Sequence, residues 1–217
     1  MVSYRYHAGM VKELKMDCRA IAELVLHLGR IASAETLVDG LTPVQWAGLR
    51  YFARANRFSR TPSAFAAFHG TTRGTASQTI KNLETQGFLA RIRSDTDRRS
   101  VHLVLTEKAR TILENDLFET LVRAVDTLPL GARGQFANAL QRVLGHVALE
   151  RGLPTFGNCA SCTHLEGDDC SRKGREPYAC GFSGEPLRLE ELDGICINFV
   201  QGKPPTERGT LIGAAPR

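Results

Sequence analysis

Residues Thr71 to Leu105 read TTRGTASQTIKNLETQGFLARIRSDTDRRSVHLVL, a helix-patterned half followed by a strand-patterned half. Thr71 or Thr72 supplies a hydroxyl that can cap the orphan N–H groups of a helix start. Ala76, Ile80 and Leu83 then recur at helical spacing until Gly87 stops the run. The opposite face carries Arg73, Thr75, Ser77, Gln78 and Lys81, with one acid, Glu84, near its end. These are short polar and cationic groups able to reach base edges and phosphates in a major groove. After Phe88-Leu89 come two β-prone runs, Arg91 to Arg93 and Val101 to Leu105, the second alternating with period two. Between them lies the turn Ser94 to Ser100. From Thr71 to Arg110 there are eight Lys/Arg against four Asp/Glu, and Arg91, Arg93, Arg98 and Arg99 gather on the ribbon and its tip. A cationic tip suits phosphate or minor-groove contact. Reading helix followed by basic ribbon is the order of a winged helix-turn-helix.

Three pieces carry a resemblance: Leu83-Glu84-x-x-Gly87-Phe88-Leu89-x-Arg91, then Asp95-x-Asp97-Arg98-Arg99, then Leu103-x-Leu105-Thr106-x-Lys108-Ala109. In this order and spacing the chain resembles the multiple-antibiotic-resistance-regulator (MarR) family of winged-helix transcription regulators, over about residues 8 to 150. The resemblance implies a homodimer on near-palindromic double-stranded DNA operators, with Arg98 or Arg99 at the wing tip. It also implies a cavity beside the second helix, where some members hold aromatic acids. Trp46 and Tyr51 are candidates to line it, although aromatic residues at helical spacing also serve as plain core. Phe65-Ala66 stands where the family usually keeps Leu-Ala.

The 217 residues, 42% hydrophobic and 24% charged, describe a folded soluble chain with room for one core and a smaller second unit. A net charge of +5 favours a polyanionic partner. No apolar run approaches the roughly eighteen residues of a membrane span, and no signal-peptide core opens the chain. A cytoplasmic protein without a membrane partner is therefore expected. The expected class is α+β, mainly α: a winged helix-turn-helix with long dimerisation helices and a small irregular cysteine-rich extension.

Taken in order, residues 1–40 read as an N-terminal dimerisation helix. Leu14, Cys18, Ile21, Val25, Leu28 and Ala32 form one stripe of a helix from about His7 to Ala34, and a small buried hydrophobe is the plain reading of Cys18. Residues 41–105 read as the DNA-binding domain, with Thr42-Pro43 and Thr61-Pro62 each opening a helix and a basic loop from Arg57 to Arg60 between them. Residues 106–151 read as C-terminal dimerisation helices: one from Thr106 to about Asp126, a break at Leu128-Pro129-Leu130-Gly131, and another to about Glu150.

Residues 152–217 form a different material, holding ten of the twenty Gly and six of the nine Pro. Five of the six cysteines lie here as Cys159-x2-Cys162-x7-Cys170-x9-Cys180-x15-Cys196, and in a reducing compartment such a cluster favours metal over disulfides. The expected ligands are Cys159, Cys162, Cys180 and Cys196, with Cys170 as the alternate because it sits in a polar excursion. His164, two residues past Cys162, is a further ligand candidate, against the plainer reading of an exposed loop histidine. One close pair plus scattered single cysteines leans to an iron–sulfur cluster, with Zn2+ as the alternative. The leading expectation is a regulator whose operator affinity follows that centre, its loss freeing the tail from the preceding dimerisation helices. The rivals are a structural zinc site in a regulator answering a small aromatic effector, and a thiol oxidoreductase using Cys159-x2-Cys162. No nucleophile is accompanied by a His and acid arrangement, so an enzyme is not expected.

Overall fold

Thr42 starts the winged-helix unit by closing a capping box: its Oγ1 accepts from the Gln45 amide at 3.3 Å and Gln45 Oε1 accepts from the Thr42 amide at 2.8 Å. Helix α2, Pro43–Arg54, follows. The computed structural model describes residues 17–32, 40–93, 101–167 and 176–202. A short 3₁₀ turn, Arg57–Ser59, leads to α3, Pro62–Phe68, which Thr61 caps through the Ala64 amide at 3.2 Å. Thr72 does the same for α4, Arg73–Thr85, through the Thr75 amide at 3.1 Å. Gly87, at φ +76°, ends α4: its amide reaches Glu84 O at 2.9 Å and that of Phe88 reaches Leu83 O at 2.8 Å. That bond pair is a Schellman stop, which needs a left-handed residue.

Strands β1, Leu89–Arg93, and β2, Val101–Leu105, pair antiparallel with Leu89 opposite Leu105 and Arg93 opposite Val101. The first strand begins two residues before the predicted Arg91 because Leu89 is itself buried, so the ladder extends inward to the core. Leu49, Phe52, Phe65, Ile80, Leu83 and Leu103 close that core. α2 crosses α4 so closely that a Cβ on Gly48 would lie 3.1 Å from Leu83 Cδ1. Trp46 and Tyr51 are 2% and 1% exposed within the same core, so they are packing residues and not the lining of an open effector cavity.

The predicted single helix from Thr106 to Asp126 is two: α5, Glu107–Leu113, and α6, Phe118–Asp126. The break has an electrostatic cause. Asp116 turns inward to a two-point pair with Arg50 of α2, Nε to Oδ2 at 2.6 Å and Nη2 to Oδ1, and its Oδ1 also accepts the Phe118 amide at 2.9 Å. One carboxylate thus ends the first helix and starts the second. Helix α7, Leu130–Glu150, begins at the predicted Pro129 break.

Helix α1, Cys18–Ala32, lies within the predicted first helix, whose start near His7, with Leu14, lies outside the described residues. Its stripe is not covered: Ile21, Val25 and Leu28 are 48%, 45% and 41% exposed. Cys18 is exposed as well, so its expected burial is not met within one chain. None of α1, α6 and α7 contains a buried residue. Among the described residues no helix is long and apolar enough to cross a membrane.

Among its described residues the tail contains only short pieces, in keeping with its Gly and Pro content. Strand β3, Gly157–Asn158, pairs with β7, Ile195–Cys196; β4, Leu165–Gly167, pairs with β5, Tyr178–Cys180, which pairs with β6, Pro186–Leu187. The whole is a mainly helical winged helix-turn-helix with a small wing and an irregular appended tail.

Candidate nucleic-acid interface and thiol cluster

Burial of Ala76, Thr79, Ile80 and Leu83 fixes how α4 is turned. Arg73, Thr75, Ser77, Gln78 and Lys81 are consequently all exposed on its other side. Gln78 Nε2 donates to Asn82 Oδ1 at 2.9 Å, which aligns the amide along the helix surface. Thr75 is held by Thr72 through their hydroxyls, 2.9 Å apart. Arg91 differs from its neighbours: its guanidinium forks onto Glu84, Nε to Oε1 at 2.6 Å and Nη2 to Oε2 at 3.0 Å. That cation is already paired with the lone acid of α4. The backbone of Arg93 ends β1; its side chain, with Arg98 and Arg99 at the predicted wing tip, lies outside the described residues.

The tail thiols are assembled by turn geometry. Asn158 Oδ1 accepts the Ser161 amide at 3.1 Å and Cys159 O accepts the Cys162 amide at 3.0 Å, so Cys159-Ala160-Ser161 winds as a 3₁₀ turn that folds the close pair back on itself. The β3–β7 ladder sets Cys196 opposite Gly157, and β4–β5 sets Cys180 opposite Leu165. Gly157 is obligatory, since a Cβ there would stand 2.6 Å from the Phe199 ring. Cys159, Cys162, Cys180 and Cys196 are 4–8% exposed, and all are unpaired thiols. Cys159 and Cys180 share one buried cluster, Cys162 and Cys196 another. Cys159 bonds to Cys196, which pushes the Cys159 thiol up, with burial adding to the shift. The same hydrogen bond holds Cys196 below the usual thiol value, against burial and with help from Asn56, the Asn198 amide and Ser59. Among the described residues no group of three or more His, Cys, Asp or Glu stands arranged to hold a metal ion. Cys170 lies outside the described residues. His164 is half-buried beside the Phe182 ring, 5.5 Å between centroids, and its carbonyl accepts the Gly181 amide at 2.7 Å.

Two polar neighbours of these sulfurs come from the winged helix, and the pattern of the sequence does not single them out. Asn56 Nδ2 donates to Cys159 Sγ at 3.8 Å, and the Ser59 hydroxyl stands beside Cys196. Asn56 directly precedes, and Ser59 sits within, the stretch predicted as a basic loop, Arg57 to Arg60. Its cation Arg57 is turned to tail groups: Nη1 to Glu191 Oε2 at 3.2 Å, Nη2 to Glu185 Oε2 at 3.3 Å, and Nη2 to Pro186 O. The tail therefore bonds to the α2–α3 elbow, whereas the sequence led to the expectation that it acts on the dimerisation helices. Towards α7 it leaves an apolar cavity of about 310 Å3, lined by Phe68, Leu144, Val147, Leu153, Phe156 and Phe199 among others.

Residues 39–100 match the model of the MarR family. Among solved structures, a Streptococcus pneumoniae FabT in complex with DNA is 24% identical, with 59% of this chain and 91% of that one covered and a TM-score of 0.43. An S. aureus MepR–DNA complex is 18% identical over 60% of this chain and 96% of that one, at a TM-score of 0.49. CouR from Rhodococcus jostii RHA1, bound to p-coumaroyl-CoA, is 20% identical over 61% of this chain and 94% of that one, also at 0.49. No curated protein matches the chain.

Proposed function

We propose that the chain is a dimeric, sequence-specific DNA-binding transcription regulator whose affinity for its operator is set by a thiolate-held metal centre, an iron–sulfur cluster. The observation that carries DNA binding is α4: a helix whose inward face is fixed by core packing, whose outward face is polar and cationic, and which is followed by a two-stranded ribbon within a match to the MarR family. Lys81 and Arg73 are assigned to phosphates, Gln78 and Ser77 to base edges. Arg93, Arg98 and Arg99 are assigned to the wing contact. Dimerisation is assigned to α1, α6 and α7, whose apolar side chains one chain leaves in water.

For the centre, support comes from four buried thiols, two of which, Cys159 and Cys196, are met by N–H donors from Asn56 and Asn198, the kind of outer partner that orients and tunes thiolate ligands. Cys159, Cys162, Cys180 and Cys196 would hold it after drawing closer than they now stand. When bound, such a centre supplies a redox- or iron-dependent change of charge among the sulfurs. Zinc in the same thiolates is the alternative occupant, and it would leave the tail merely stapled.

Two measurements test this. A duplex selected in vitro from a random pool should bind the dimer with a steep salt dependence, and Lys81→Ala should weaken binding and reduce the slope by about one. Unchanged affinity and slope in Lys81→Ala and Arg73→Ala together would overturn the docking. Protein purified without air should be brown and contain iron and sulfide; a colourless zinc protein would replace the cluster reading with the structural one.

A further inference from the structure

We infer that the elbow between α2 and α3, residues 56–60, is the receiver through which the thiol centre acts on the DNA-reading unit, with Asn56 as its positioning residue. This rests on the metal-centre reading above.

The two buried polar residues of the elbow, Asn56 and Ser59, are 3% and 0% exposed, and every polar atom of their side chains is engaged. The Ile197 amide donates to Ser59 Oγ at 2.8 Å, so the hydroxyl spends its own proton on Asn56 Oδ1, 2.9 Å away. That fixes the orientation of the Asn56 amide and leaves Nδ2 for Cys159 Sγ at 3.8 Å. The backbone doubles the tie. The Asn56 amide donates to Ile195 O at 2.9 Å, and Ala55 and Ile195 form a parallel bridge. Across the joint a Cβ on Gly194 would lie 2.9 Å from Asn56 Cβ, so the two backbones have no slack between them.

The same few residues hold the start of α3, the partner of reading helix α4 in the helix-turn-helix, and the wing. Ser59 O accepts the Thr61 amide at 2.8 Å, directly at the cap of α3, and also the Tyr51 hydroxyl at 2.7 Å. Arg60 O accepts the Leu103 amide of wing strand β2 at 2.9 Å. A sulfur that moves when the thiols close on a centre, or part on losing it, takes with it a buried donor that cannot be left unpaired without cost. The elbow follows Asn56, and α3 and the wing follow the elbow. Communication needs no route through the dimer helices.

The test uses the full-length dimer in two forms, reconstituted without air with ferrous iron and sulfide, and metal-free. In the natural chain, loading should change hydrogen exchange at residues 59–68 and at Leu103 as well as in the tail, and shift affinity for the selected duplex at least about fivefold. Asn56→Ala, compared with the natural chain at equal bound iron and sulfide, should confine the exchange change to residues 157–200 and bring the affinity ratio close to one. Asn56→Asp keeps the acceptor for Ser59 but places a negative charge by the sulfur. It should lower the reduction potential of the centre, a shift that a merely structural residue would not produce. If the alanine variant fails to fold, Asn56→Asp and Ser59→Ala carry the test. Variants that hold iron yet retain the natural affinity ratio and exchange pattern, or an unmoved potential, overturn the inference. So does a loaded natural chain with no change at the elbow. A chain that takes up no iron sinks the metal-centre reading itself, and the inference with it.

Discussion

Tyr51 shows how much one buried side chain can report. Its hydroxyl donates to Ser59 O and burial, seconded by the Cys196 charge, raises its ionisation above the usual value near 10. A raised folded value means stability that is intact below pH 10 and is lost as pH climbs beyond it. In an alkaline titration, one of the four tyrosines should therefore stay protonated until the protein unfolds. Tyr51→Phe should remove that lag and flatten the alkaline fall in stability, while costing about 1 kcal/mol for the lost hydrogen bond in urea denaturation at neutral pH. Cys159, Cys162, Cys180 and Cys196 were legible in the sequence because cysteine in a Gly/Pro-rich stretch has few other uses. Asn56 and Ser59 were not, since an Asn and a Ser in a loop look alike whether they face water or a sulfur 103 residues away.

At the level of elements, caps were the readable part. Thr42-Pro43, Thr61-Pro62 and Thr72 set three helix starts where local chemistry alone decides, and Gly87 set a stop. The split between α5 and α6 was hidden because Leu113, Leu117, Leu121 and Val125 continue a helical stripe straight through it. What breaks the run is Asp116, drawn to Arg50 across 66 positions, a contact with no local signature. Asp116→Ala should lower stability by about 2–3 kcal/mol in denaturant unfolding, because it removes the carboxylate from a partly buried guanidinium and the Phe118 cap together. It should also let helix run on from Leu113 to Phe118, visible as added helical circular dichroism; a loss under 0.5 kcal/mol would show the pair to be ornamental. Arg91 teaches the converse lesson. Counted as a free wing cation from its position, it is shared with Glu84, so Glu84→Gln should tighten DNA binding by releasing it, and the salt dependence of affinity should steepen.

For the molecule as a whole, the appended tail is seated by backbone as much as by side chains. Gly194→Ala pushes a methyl into Asn56 Cβ and Glu191 O, 2.9 and 3.1 Å from where it would stand. The expected outcome is a tail lifted from the elbow, with Cys159 and Cys196 reacting faster with a thiol reagent while the winged helix keeps its own unfolding midpoint; unaltered thiol reactivity would refute the seating. Four domain-sized blocks could be drawn from composition and periodicity, but which block leans on which could not, since Arg54, Arg57 and Asn56 reach Asp193, Glu191 and Cys159 only in three dimensions.

The exposed stripes of α1, α6 and α7 carry a thermodynamic corollary. Helices that bury nothing of their own persist chiefly through a companion, so in the proposed dimer the folding of these three helices and association become one equilibrium. The melting point should then climb with protein concentration, and a charge set into the stripe, as in Val25→Glu, should abolish that climb by leaving single chains in the ultracentrifuge. Dilution, for such a molecule, is a denaturant.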